Sequence, residues 1–163
     1  MIDHVPGNPA VGSPPESMPR FFTLQQAQSA LPKVEQAVRD ALFHKTAYQK
    51  AEAEMNEISR NIVMTGGMSI NRDRVIQIKE TRETSGARLK ELFEQIQSVG
   101  CLIKDLDVGL LDFPTLYKGE EVYLCWRLGE TRIEFWHGVR DGFAGRKPID
   151  DDFMASHRGD TAS

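Results

Sequence analysis

Apolar positions recur with heptad spacing through the first hundred residues. Val34, Ala41, Tyr48, Met55 and Ile62 stand seven apart, with Ala37, His44, Ala51 and Ile58 three further on. This is the a/d pattern of a helix that packs along a partner helix. A second set follows, Val75, Arg82, Leu89 and Ile96 with Ile78, Ser85, Leu92 and Val99. Gly66-Gly67 closes the first run and Gly100 the second, as glycine does at helix C-termini. Two long helices joined by a short loop pack antiparallel, so counting outward from the loop sets Ile62 near Val75, Met55 near Arg82 and Tyr48 near Leu89. Arg82, Ser85 and Gly86 weaken the middle of that seam. Upstream, Thr23 and Gln26 make a capping-box pattern with Phe22 as the staple. A short helix is expected to about Ala30, then a bend and a fresh start at Pro32, because proline suits a first turn and disfavours helical geometry in the residue before it.

The periodicity changes at Cys101. Cys101 to Lys104 reads as a short strand, and Glu121 to Arg127 is rich in strand formers. Leu128 to Thr131 reads as a turn, and Arg132 to His137 alternates like a half-buried strand. The fold class is therefore α+β: a long, coiled-coil-like antiparallel two-helix hairpin with a small antiparallel β-hairpin or three-stranded sheet at its base. At about 1.5 Å per residue the first helix is roughly 50 Å long. That is more apolar seam than the remainder can cover, so a homo-oligomer is expected, with Val34, Ala41, Tyr48, Met55, Leu89, Leu92 and Ile96 at its interface.

Composition sharpens the boundaries. Five of the eight prolines fall in residues 1–20, which read as a flexible leader. Residues 21–149 form one α+β domain, and 150–163, acidic and then small and polar, read as a flexible tail. A net charge of -4 provides no basic stripe for a phosphate backbone, so nucleic acid is not an expected partner. Two cysteines without close spacing favour a reducing compartment, and no apolar run approaches the roughly 18 residues of a membrane span. A cytoplasmic location without membrane attachment is the expectation.

Candidate chemistry concentrates between Gly100 and Ile149. Asp105, Asp107 and Asp112 lie in a Gly- and Pro-containing stretch, Glu130 in a turn, and His137 at a strand end. Carboxylate oxygens hold hard cations, and a histidine adds affinity for transition metals, so these five residues are the candidate ligands of a divalent metal. The spacing is not that of an EF-hand, and aspartates in such loops also cap turns. Period-two counting puts His137 on a face with Ile133 and Phe135, pointing inward, where a hydrogen-bonded core histidine is the alternative to a ligand or base. Cys101 and Cys125 would suit zinc together with His137 if neighbouring strands carried them; otherwise they are small buried hydrophobes. Arg146, after the Gly142-Phe143-Ala144-Gly145 turn, is a candidate anion contact. No nucleophile elbow occurs.

Several of these residues carry a resemblance. Phe22-Thr23-Leu24 with Leu31-Pro32, Gly100 to Asp105, Gly109-Leu110, Asp112-Phe113-Pro114, Leu124-Cys125-Trp126, Gly129-Glu130 and Trp136-His137 together resemble a prokaryotic family, domain of unknown function family 2203, over roughly residues 21 to 149. The resemblance supports the boundaries of the ordered region and implies no activity or cofactor. Two functions are thus expected: a non-enzymatic, self-associating interaction domain, or a metal-dependent enzyme, for example a hydrolase, with an Asp/Glu/His site in 105–137.

Overall fold

The computed structural model describes residues 20–66 and 70–160. The leader expected over 1–20 therefore lies outside the described residues except for Arg20, as does the glycine of the helix-joining loop at 67.

Helix α1 spans Leu24–Thr65 and α2 spans Arg72–Val99. The capping box forms as read: Thr23 Oγ1 accepts from the Gln26 amide, and Gln26 Oε1 accepts from the Thr23 amide. The break expected at Pro32 does not occur, and α1 runs through it. An internal proline costs about 3 kcal/mol, but an unbroken helix places Ala27, Leu31, Val34, Ala37, Val38 and Ala41 along one buried stripe. Burying a side chain of Leu or Val size contributes about 1.5–3 kcal/mol, so the stripe outweighs the proline. The weak middle of the seam is resolved by size and charge. The Tyr48 ring lies against Gly86, where an added Cβ would stand 3.3 Å from it, and Arg82 leaves the seam to pair with Glu52 at 3.1 Å.

The sheet is larger than the sequence suggested. Strands β1 (Leu102–Asp105), β2 (Leu110–Tyr117), β3 (Glu120–Arg127), β4 (Phe135–Gly138) and β5 (Lys147–Pro148) pair antiparallel in chain order, and β6 (His157–Arg158) adds to the free end of β2. β2 falls in the stretch expected as loop, because Asp112 and Pro114 interrupt its pattern. Pro114 is tolerated because it falls between the stretch paired with β1 and the stretch paired with β6, and its carbonyl accepts from Phe22 N at 2.7 Å. Residues 151–158, read as part of a loose tail, form a short helix α3 (Asp151–Ser156) and β6. Phe153 is fully buried there, stacked on Tyr117 at 4.8 Å and Trp136 at 5.0 Å.

One face of the sheet meets the helices. Leu111 and Phe113 of β2, Val122, Leu124 and Trp126 of β3, and Trp136 of β4 join the α1 and α2 stripe in a single core, with Phe22 edge-on to Phe113 at 5.3 Å. Alternation sends Asp112, Tyr123, Cys125, Phe135 and His137 to the opposite face. No helix among the described residues is long and apolar enough to cross a membrane.

Candidate metal centre

The β2–β3 hairpin turns on Lys118-Gly119, both with positive φ (52° and 82°), as a two-residue hairpin turn that follows the sheet twist requires. Its register sets Asp112 opposite Cys125, and the next pairing sets His137 opposite Tyr123. Three neighbouring strands thus deliver one oxygen, one sulfur and one nitrogen ligand atom, all within 4.8 Å of one another. Polar side chains on the sheet face away from the helices would normally meet water. Here Asp112 is 1%, Cys125 0% and His137 3% exposed.

The hydrogen bonds orient the set. His137 Nδ1 lies 2.7 Å from the Gly138 carbonyl and can only donate to it, which leaves Nε2 directed at Asp112 Oδ1, 2.9 Å away. Two ring nitrogens facing two acceptors require a proton on the Nε2–Oδ1 line, or a cation in its place. A carbonyl partner on the outer nitrogen is what fixes a metal-ligating imidazole elsewhere in proteins. Arg146 pairs with Glu130 at 2.9 Å and packs its guanidinium on Phe135 (4.1 Å), the β4 residue paired with Cys125, and on Phe143 (4.3 Å).

The structure separates the five carboxylate and histidine candidates. Asp112 and His137 come together. Asp105 instead accepts from the Asp107 amide in a turn, Asp107 pairs with Lys45, and Glu130 accepts from the Arg127 amide and from Arg146. Cys125 joins the pair without Cys101, whose thiol donates to the Ile96 carbonyl on the helix side of the molecule. Arg146, a candidate anion contact, is occupied by Glu130 and the rings of Phe135 and Phe143. His137 is buried as expected, but on the face of Phe135 and Tyr123 rather than in the main core with Ile133. Of the interface candidates, Val34, Ala41, Leu92 and Ile96 are buried within the chain itself, Leu89 packs against that core, and Tyr48 and Met55 are half-buried.

A family model for an uncharacterized conserved protein, DUF2203, matches residues 20–149. The chain belongs to this family. The DUF2203 match contains every residue of the centre together with Glu130 and Arg146. Neither a curated protein nor a solved structure matches the chain.

Burial pushes both cysteine thiols up to about 12, with Asp112 adding to the effect at Cys125. A proton held more tightly in the folded state gives stability that is complete below the ordinary thiol value of 9.0 and is lost as pH rises towards 12. The slope is about 1.4 kcal/mol per pH unit for each thiol. Resistance of the DUF2203 chain to urea in the presence of chelator should therefore fall from about pH 9 towards pH 12. Cys101→Ala, which removes one thiol, should show a shallower decline; identical declines in the two proteins would contradict this reading of Cys101.

Proposed function

We propose that this DUF2203 chain is a metal-binding domain in which Asp112, Cys125 and His137 hold one divalent transition-metal ion, zinc being the best fit. The convergence of a carboxylate, a thiol and an imidazole within 4.8 Å, all buried, carries this reading. Sulfur and nitrogen donors favour zinc over calcium or magnesium, which take oxygen ligands. Thiolate and carboxylate together offset the charge of the ion, and the Cys125 proton leaves on binding. Three protein ligands leave one tetrahedral position, the arrangement of zinc sites that exchange a fourth ligand. A metal-dependent hydrolase would use that position for its water. Asp105, Asp107 and Glu130, in the places they occupy, would serve it only from outside the ligand set.

A second reading, self-association, draws support from the far half of the helical hairpin. Beyond Ala51 on α1 and before Ile78 on α2 no described residue is buried. Ile62, Val63, Met64 and Ile70 are exposed there, and Ile58, Ile62, Ile70 and Val75 line a groove of about 470 Å³. Native mass spectrometry of untagged protein purified without chelator tests both readings at once. The expected spectrum carries one zinc per chain, lost in Asp112→Asn and in Cys125→Ser, and a dimer or larger assembly if the second reading holds. Metal-free wild type after zinc addition would refute the first reading, and a monomer at micromolar concentration the second.

A further inference from the structure

We infer that the stacked side chains of Arg146 and Phe143 form a removable cover over the Cys125 side of the centre, and that metal ions enter and leave through the groove beyond Phe143. The inference rests on the metal-binding reading and concerns how that site is reached.

The sheet itself forms the floor, and moving a strand would break ladder hydrogen bonds. The Cys125 side is closed differently. Cys125 is fully buried and pairs with Phe135 across the β3–β4 ladder, and the Arg146 guanidinium, its side chain 15% exposed, stands over that Phe135 ring. Phe143, 41% exposed, has its ring 4.3 Å from the same guanidinium. Past Phe143 opens a groove of about 270 Å³ lined by Asp105, Val108, Leu110 and Arg127. Leu110 and Arg127 pair two residues along from Asp112 and Cys125, so groove and centre share one face of the sheet.

Rotation of the Arg146 and Phe143 side chains opens the cover without moving β4 or β5, which flank the turn. Residues 139–146 between β4 and β5 belong to no strand; Asp141 ties them to β4 through Gly138 O and N, and Gly145 N to Gly142 O and Arg146 N to Phe143 O close the turn. Gly142, with φ of 61°, supplies the backbone freedom for a hinge. What holds the turn against the centre is side-chain contact, the Arg146–Glu130 pair and the stack on Phe135 and Phe143. Arg127, 5.7 Å from the Phe143 ring, stands at the groove side of the same stack.

Stopped-flow transfer of zinc from the loaded full chain to an excess of a chromophoric chelator tests the cover. Phe143→Ala and, separately, Arg146→Lys should still take up one zinc but release it about 2- to 30-fold faster, the rate equivalent of losing one cation–π contact. Val139→Ala, at an exposed position of the same segment outside the stack, should release at the wild-type rate. If wild type holds zinc and both stack variants release it at the wild-type rate, the cover is refuted and the metal site stands. If both variants fold yet no longer retain zinc, Arg146 and Phe143 build the site rather than gate it, and the cover is again refuted. A wild type that takes up no zinc overturns the metal reading and the cover with it.

Discussion

His137→Ala is expected to lower the stability of the metal-free protein by about 3–5 kcal/mol, the usual consequence of removing one member of a buried ionisable pair. The cause is the partner left behind. Asp112 is 1% exposed, and its contact to His137 Nε2 is a buried side-chain hydrogen bond. Without the imidazole, a carboxyl group remains on the covered sheet face with its charge or its proton uncompensated. The double variant Asp112→Ala/His137→Ala should recover part of the loss, because it removes the orphaned group as well. Urea denaturation of the three proteins in chelator measures both effects. A single-variant loss below about 1 kcal/mol would mean that the pair is not held as described, since such a loss is typical of exposed pairs.

Phe153→Ala should cost a similar amount, about 3–5 kcal/mol, as large-to-small changes at fully buried aromatic positions do. Phe153 is the hydrophobic anchor of the C-terminal segment. It stacks on Tyr117, Trp136 and His157, and it positions β6 on the end of β2. His157 Nε2 in turn accepts from the Leu24 amide in the first turn of α1, and Asp160 N donates to Phe21 O. Losing the anchor should therefore free residues 150–160 before the rest unfolds. Limited proteolysis under native conditions should cut the variant in that segment while wild type resists. Equal resistance of the two proteins would show that the hydrogen bonds alone hold the segment.

These two positions also mark what was and was not legible in the sequence. The helical hairpin could be read because its signal is local and repeated, one apolar position every third or fourth residue from Val34 to Val99. The unbroken course through Pro32 could not, since the burial that outweighs the proline depends on a sheet that is distant in sequence. β3 was legible from its strand formers. β2 is hidden because Asp112 faces Cys125 and His137 on the covered side of the sheet and Pro114 sits between the stretches paired with β1 and β6, so the buried polar cluster itself disrupts the pattern that would reveal the strand. Phe153 stood alone among acidic and small residues, and its partners Tyr117 and Trp136 lie on other strands.

The candidate centre was half visible. Residue type points to Asp112 and His137, but sequence alone sets Cys125 with the other cysteine, Cys101, because nothing in it fixes the sheet register. A signal was present in Lys118-Gly119. A two-residue turn there makes Tyr117 face Glu120, and five residues outward on each side Asp112 faces Cys125. Asp105, Asp107 and Glu130 looked equally suitable by type, and only the fold shows them satisfied by a turn amide, a lysine and an arginine. Residue type thus found the right neighbourhood, while membership of the cluster depended on strand register.

The most direct test of the central claim is the visible spectrum of the metal-free chain titrated with cobalt(II), a stand-in for zinc whose absorption reports its ligands. One equivalent of cobalt should produce the intense bands of a tetrahedral ion together with a thiolate-to-metal charge-transfer band, and Cys125→Ser should lose the latter. A wild-type spectrum that remains that of aqueous cobalt would contradict the assignment of Asp112, Cys125 and His137 as a metal centre.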